Sequence, residues 1–378
     1  MTPILPGATI GFFGGGQLGR MAAMAARSMG YDVHVLDPDP DCPARPLASR
    51  CVTAALDDAV AADDFARGCN VITLEIERVG AESIAAASRH CPVRPNANAV
   101  YVVQDRARQK EWLESNGFPV APFRIVRSAD ECEAAVAALG ASIAKTCVGG
   151  YDGRGQARIE SAANAAGAWR ALHADRLVVE QRVDIDFEIS VLVARRPEGE
   201  TLVYSPALNH HDHGVLTWSA WPASLPATLG VEAEALGQRV AEALDVVGLL
   251  AVEMFVLRDG RLLVNELAPR PHNTYHESER GAATSQFEQI VRAVCDLPLG
   301  AVDAVSPAAI INLLGDVWTH GVPNFERALE VPTVRLHLYG KRHARPGRKM
   351  GHLSAVGLTT DEALGRVIDA YERLSARD

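Results

Sequence analysis

The chain opens with short apolar runs and amphipathic stretches in alternation. Ala8–Phe13 is an apolar run ending in glycines, which predicts a strand. Leu18 to Met29 carries apolar side chains at helical spacing and stops at Gly30, a helix with a glycine after its end. Asp32–Leu36 predicts a second strand, closed by Asp37-Pro38-Asp39-Pro40, and Asn70–Glu75 a later one. Strand–helix–strand order puts parallel strands in one sheet with helices on its faces.

Near Gln104 the character changes. Gln104–Asn116 predicts a charged amphipathic helix, and Phe118-Pro119-Val120-Ala121-Pro122 breaks the pattern as a boundary or hinge does. Ala129–Leu139, before Gly140, predicts a helix. Residues 142–160 predict strand, glycine loop and strand, and Leu177–Glu180 and Phe187–Val193 predict more strands. Val231–Val246 predicts a helix with Leu236, Val240 and Leu244 on one face. Residues 249–267 predict a hairpin about Asp259-Gly260. Beyond Pro298 the chain reads as less regular until a last helix, Asp361–Leu374, with Thr360 as N-cap.

Composition narrows the class without naming a function. A length of 378 residues suggests two or three domains. With 48% hydrophobic and 22% charged residues, disorder and collagen-like repeats are excluded. The seven cysteines include no Cys-x-x-Cys pair, so they read as free thiols of a reducing cytoplasm rather than a zinc ribbon. A net charge of −10 argues against nucleic acid as partner. No apolar run is long enough for a membrane helix, and residues 1–19 lack the Lys or Arg of a secretory signal.

Gly14-Gly15-Gly16-Gln17-Leu18-Gly19 fits G-x-G-x-x-G between a strand and a helix, with Asp37 ending the next strand. On its own this permits a dinucleotide-dependent oxidoreductase, another phosphate site, or a packing turn. The hairpin is more telling. A two-residue Asp259-Gly260 turn pairs Arg258 with Arg261, and counting outward sets Glu253 opposite Glu266, with Cβ atoms about 4.5–5.5 Å apart. Facing carboxylates repel, and a bridging divalent cation removes the conflict; oxygen donors, with Asn265 beside them, suit Mg²⁺.

Lys145 ends a strand, and Gly149, Gly150, Gly153 and Gly155 follow in a loop able to fold over phosphates. Glu180-Gln181-Arg182-Val183, with Glu188 beyond a turn, offers backbone groups and a carboxylate to an adenine and a ribose. Lys341, Arg342, Arg345, Arg348 and Lys349 make a basic knot on an acidic protein, which suits a phosphate-bearing substrate.

Together these pieces resemble the ATP-grasp superfamily, and within it the 5-(carboxyamino)imidazole ribonucleotide synthetases of purine biosynthesis. The resemblance rests on GGGQLGRM at 14–21, LDPDPDCPA at 36–44, TLEIERV at 73–79, QDR at 104–106 and GGYDGRGQ at 149–156. It continues in NELAPRPHN at 265–273, TSQFEQ at 284–289, RAVCDLPLG at 292–300 and YGKRHARPGRKMGH at 339–352. It implies an α/β and α+β fold: a Rossmann-like pre-ATP-grasp domain at 1–103, an ATP-grasp domain at 104–300 with a mobile lid at about 118–190, and a C-terminal domain at 301–378.

The activity implied is ATP- and bicarbonate-dependent carboxylation of 5-aminoimidazole ribonucleotide through carboxyphosphate. A paralogue ligating another carboxylate or amine, and a nucleotide-binding protein without turnover, are the alternatives. The resemblance implies that Arg106, Lys145, Gly150, Tyr151, Gly153, Gly155, Gln156, Glu180, Gln181, Arg182, Val183, Glu188, His211, Asn265 and Glu266 meet ATP. Glu253, Asn265 and Glu266 would hold Mg²⁺. Asp152, Arg154, Arg270 and Asn273 would carry the chemistry. Gln17, Leu18, Glu75, Tyr151, Asp152, Arg154, His272, Asn273, Lys341, Arg348 and Lys349 would bind the ribonucleotide. It also implies a homodimer, and a mutase as consumer of the product. The chain departs from the family's usual Ser-Gly-His-Trp-Thr at Thr274-Tyr275-His276-Glu277-Ser278, and from Glu-Asn-Val at Glu77-Arg78-Val79.

Overall fold

The computed structural model describes residues 2–150 and 155–376. Among them the strands form three sheets. The first contains β1 (Thr9–Phe13), β2 (Asp32–Asp37), β3 (Arg50–Thr53) and β4 (Val71–Leu74), parallel, in the order β3-β2-β1-β4. Its strands are apolar on both faces because helices cover both, as parallel sheets require. Helix Gln17–Ser28 runs back from β1 and buries Leu18, Met21, Ala22 and Ala26; the other face packs Phe13, Leu36, Phe65 and Ile72.

The second sheet is antiparallel: β5 (Phe123–Val126), β6 (Ser142–Thr146), β7 (Gln156–Ile159) and β8 (Leu177–Gln181), in the order β5-β8-β6-β7. Helix Ala129–Leu139 packs on it through Cys132, Ala135 and Val136. Its ends are marked by the Ser128 hydroxyl, which accepts from Glu131 N–H, and by Gly140 at φ +79°.

The third sheet has eight strands: β9 (Ile185–Arg195), β10 (Thr201–Asp212), β11 (Val215–Trp221), β12 (Gly248–Leu257), β13 (Leu262–Ala268), β14 (Ala308–Leu314), β15 (Arg335–Leu338) and β16 (Lys349–Val356). Their order is β13-β12-β9-β10-β11-β14-β16-β15. Helix Ala227–Ala243 packs on one side through Leu236 and Val240, and Gly237 approaches Val191 where a Cβ would clash at 2.3 Å. Helix Gln286–Val294 lies between this sheet and helix Gln17–Ser28, so one apolar cluster joins the first and third sheets. No helix of the described residues is long and apolar enough to cross a membrane.

Three expectations need correction. The region beyond Pro298 is not irregular: β14, β15 and β16 complete the large sheet, β14 pairing with β11 some ninety residues earlier. The last helix, Thr360–Ser375, takes Thr359 as its N-cap, whose side chain accepts from Glu362 N–H. The hairpin turn is not a two-residue one. Leu257 N–H donates to Arg261 C=O and Gly260 N–H to Leu257 C=O, which encloses three loop residues with only Gly260 left-handed, at φ +86°. A bulge opposite Glu253–Met254 then restores the expected register, and Glu253 does pair with Glu266.

Candidate active site

The three sheets bound one cleft of about 1530 Å³. At one end is the glycine turn. Gly16, Leu18 and Gly19 point their N–H groups at the Glu75 carboxylate, at 2.8, 3.1 and 3.0 Å. The start of a helix attracts an anion, and here the protein supplies it. Asp37 is taken too, accepting from Gly15 N–H at 2.6 Å. Both features a dinucleotide would need are engaged internally, so the oxidoreductase reading fails on geometry. Gln17, Leu18 and Glu75 line the cleft.

In the middle lies the acidic pair. The bulge breaks strand alternation at Asn265, so Asn265 and Glu266 both face the cleft with Glu253. Burial, with Glu266 and Glu188 adding to it against the opposing pull of His211 and Lys349, pushes the Glu253 carboxyl up to about 7. A carboxylate held against its charge, beside the oxygens of Asn265 and Glu266, fits a hard divalent cation such as Mg²⁺. His211 Nδ1 lies 2.9 Å from Glu188 Oε2. Burial opposes its charge, but Glu188 and Glu253 outweigh that and push its pKa up.

Lys145 projects from β6 and donates to Glu180 Oε2 at 2.9 Å. Lys110, inside the helix Arg106–Ser115, approaches the other oxygen at 3.6 Å. Glu180 is thus a buried counter-ion rather than a cleft wall. Burial would raise its pKa, but the two lysines hold it down at about 2. Arg106 lies 3.6 Å from Glu266 and donates to Thr146 C=O at 2.7 Å.

The reacting end joins Arg270, His272 and Asn273. Arg270 Nε lies 2.8 Å from Glu77. Burial, with Arg270 and Lys349 nearby, holds His272 well below the usual histidine range, so its ring is neutral. Asn273 takes a bond from Asn312 at 2.7 Å on its oxygen, while its buried Nδ2 has no acceptor among the described residues. Across the cleft Lys341 donates to Gln17 at 2.7 Å, and Arg348 and Lys349 line the wall beside it.

Gly150, Gln156, Glu188 and His211 also line the cleft. Gly155 holds φ +70° against Thr146. Three side chains turn elsewhere: Gln181 bonds Leu139 C=O, Arg182 pairs with Glu160, and Val183 packs beside Leu257 and Leu263. Tyr151, Asp152, Gly153 and Arg154 lie outside the described residues.

Comparison with known proteins decides the kinship. Residues 7–104 match the ribonucleotide synthetase preATP-grasp domain, 111–287 the ATP-grasp domain, and 308–366 the phosphoribosylaminoimidazole carboxylase C-terminal domain. The N5-carboxyaminoimidazole ribonucleotide synthase of Brucella melitensis is 40% identical over 94% of this chain and 98% of its own; that of Bacillus subtilis is 38% identical over 97% and 96%. The chain belongs to the N5-carboxyaminoimidazole ribonucleotide synthase family.

A solved member of that family in complex with ADP superposes at a TM-score of 0.92, with 37% identity over 98% of both chains. The Aspergillus clavatus synthase in complex with ADP and 5-aminoimidazole ribonucleotide gives 0.89, with 29% identity over 97% and 99%.

The departures at 274–278 fall behind the synthase cleft rather than in it. Tyr275 is fully buried, and its hydroxyl donates to the carbonyls of Ser190 and Ser205. Glu277 is equally buried beneath Ser219. Arg78 reaches the glycine loop and donates to Gly149 C=O at 3.3 Å.

Sequence reading missed Lys110, and missed Gln104, which donates to the carbonyls of Glu77 and Val79 at 2.6 Å and braces that wall. Gln104 had one signal, the QDR string at 104–106, while Lys110 had none beyond its place in a charged helix.

Proposed function

We propose that the protein uses ATP and bicarbonate to carboxylate the exocyclic amine of 5-aminoimidazole ribonucleotide, releasing ADP and phosphate. The observation that carries this reading is the single cleft in which an acidic pair, a buried lysine, a neutral histidine and a basic wall converge. Lys145, fixed by Glu180, and Arg106 meet the phosphates of ATP, and Gly150, Gly153, Gly155 and Gln156 belong to the loop that covers them. Backbone groups of Glu180 to Val183 flank the adenine, and Glu188 with His211 holds the ribose. Glu253, Asn265 and Glu266 hold Mg²⁺, which when bound offsets charge on the transferring phosphoryl oxygens.

Arg270, Asn273 and His272 surround the bicarbonate and the carboxyphosphate formed from it. The free Nδ2 of Asn273 and the guanidinium of Arg270 stabilise its oxygens without reorganising. Lys341, Arg348 and Lys349 clamp the ribonucleotide phosphate, while Gln17, Leu18 and Glu75 line its ribose end. By resemblance, Tyr151 and Arg154 close over the aminoimidazole and Asp152 orients or deprotonates its amine. The same reading divides the chain at 1–103, 104–300 and 301–378, with a lid at about 118–190. It gives a cytoplasmic homodimer whose labile product passes to a mutase.

ADP release by the purified protein with Mg²⁺, ATP and bicarbonate tests the reading. Strong stimulation by 5-aminoimidazole ribonucleotide is expected. Turnover without stimulation would move the proposal to another acceptor, and ATP binding without turnover would remove the enzyme.

A further inference from the structure

A second cluster of ligating side chains lies away from the cleft and has no part in the mechanism above. Among the described residues, one ring nitrogen of His337, one of His352 and one carboxylate oxygen of Glu279 fall within 4.8 Å of one another. None of the three lines the cleft. Strand pairing brings the two rings together. His337 of β15 stands directly opposite His352 of β16, and the rings stack at 5.1 Å. Glu279, on the short helix Ser278–Gly281, places its Oε2 at 3.7 Å from His337 Nδ1.

We propose that Glu279, His337 and His352 form a site for a divalent transition-metal ion of the Zn²⁺ class, separate from the Mg²⁺ site of the cleft. The donor set decides the class. Two imidazoles and a carboxylate suit a borderline ion, whereas carboxylate and amide oxygens alone suit Mg²⁺. Donors on a tetrahedral ion with bonds of about 2.0–2.1 Å stand about 3.3 Å apart. The 3.7 Å between Glu279 and His337 is close to that spacing, and no pair in the cluster exceeds 4.8 Å. Three protein ligands leave the fourth position to water.

The surroundings fit such an ion. Burial holds both imidazoles below the usual histidine range, with Arg20 adding to it at His337 and His337 at His352. Each ring is then neutral and keeps a lone pair to give. The Tyr339 hydroxyl lies 2.9 Å from His352 Nδ1. It can take the hydrogen of that nitrogen and leave Nε2 to the ion, the outer contact that ligating histidines keep. The His276 ring, fully buried, packs 4.9 Å from that of His352, with its Nε2 unpartnered. His352 is buried too, while the side chains of His337 and Glu279 stay 22% and 32% exposed, which gives an ion its way in. Arg280 and Arg335 stand near Glu279, and Arg280 is turned to the Thr333 carbonyl at 3.2 Å. Their charge lowers the affinity without removing a donor. Once bound, the ion ties the four-residue strand β15 to β16 and to the helix that follows Asn273.

Co²⁺ is the probe, added to the full-length protein stripped of metal and supplied with excess Mg²⁺ to fill the cleft. One equivalent is expected to bind and to give the strong visible absorption of four- or five-coordinate cobalt, with no thiolate charge-transfer band. Losing even an outer partner of a metal ligand costs about 10–100-fold in affinity. His337→Ala and Glu279→Ala, both at partly exposed positions, should therefore each weaken binding about 100-fold or more. Tyr339→Phe should weaken it about 10-fold and keep the absorption band. His320→Ala, at an exposed histidine outside the cluster, should change nothing. The two surface variants keep the test decisive if Tyr339→Phe does not fold. Six-coordinate cobalt only, a thiolate band, native affinity in any of the three cluster variants, or an equal loss in His320→Ala overturns the proposal. Binding is read without turnover, so failure of ADP release would strike the assigned reaction and leave this site as it is.

Discussion

Lys145 and Lys110 share one buried carboxylate, and that sharing sets the behaviour of all three residues. Burial lowers Lys110 to about 8, while the lysines hold Glu180 at about 2. For Glu180 the sign is that of a depressed acid: its contribution to stability is present above about 4.5 and is lost as pH falls toward 2. Lys110 runs the other way, its charge opposing the fold below about 8. Replacing Glu180 with Gln strands two buried ammonium groups and should cost about 3–5 kcal/mol in urea unfolding at neutral pH. The gap to the native protein should narrow as pH drops through the Glu180 range; a constant gap would remove the ion pair as its cause. At the acidic pair, Glu266→Gln should lower Mg²⁺-dependent ADP release by about 100-fold or more while circular dichroism stays native. Unchanged release would sink the metal assignment. The pairing of Glu253 with Glu266 was legible only because two departures cancel: the loop has three residues where two were expected, and the bulge at Asn265 shifts the register back by one. Lys110 was not, because a helix that buries one lysine looks in sequence like one that exposes it.

The glycine turn and its helix form the element where sequence pattern and geometry part most clearly. Strand, G-x-G-x-x-G and helix are all present, yet the site they suggest is filled from β4 by Glu75. Nothing local in residues 14–19 reveals that filling, since the acid comes from nearly sixty residues away. A Cβ on Gly16 would lie 2.4 Å from Glu75 Oε1. Gly16→Ala should therefore displace the carboxylate and leave three helix N–H groups without their acceptor, at a cost of about 1–2 kcal/mol. If Glu75 lines the ribonucleotide end as proposed, the KM for 5-aminoimidazole ribonucleotide should rise on the order of ten-fold while that for ATP holds, a ratio worth about 1.4 kcal/mol. A rise in the KM for ATP alone would place Glu75 at the wrong end of the cleft. The helix Ala129–Leu139, with Ser128 before it and Gly140 after it, was legible to the residue. Strands β14 to β16 were not: β14 is buried on both faces and so shows no alternation, its partner β11 lies some ninety residues earlier, and β15 has only four residues.

At the scale of the whole molecule, a chain of net charge −10 gathers Lys145, Arg106, Arg270, Lys341, Arg348 and Lys349 around one cleft. The surrounding acidity leaves that cleft as the place where phosphates concentrate. Its walls come from all three sheets. Lys341 meets Gln17, and Arg342 pairs with Asp41 at 2.6 Å, so the hairpin of the large sheet is tied to the first sheet beside the site. Local pattern could name the wall residues, but only sheet order brings Gln17 against Lys341 across more than three hundred positions. A ligand that touches several sheets stabilises them together by mass action. ADP with Mg²⁺ at a hundred times its Kd should raise the unfolding free energy by about 2.7 kcal/mol, and chelating the metal should remove most of that rise. Glu266→Gln should lose the metal-dependent part yet keep full stabilisation by 5-aminoimidazole ribonucleotide, whose proposed contacts lie at the glycine turn and the basic wall. If Glu266→Gln lost both, the two ligands would share one subsite, and the division of the cleft into a nucleotide end and a ribonucleotide end would be wrong.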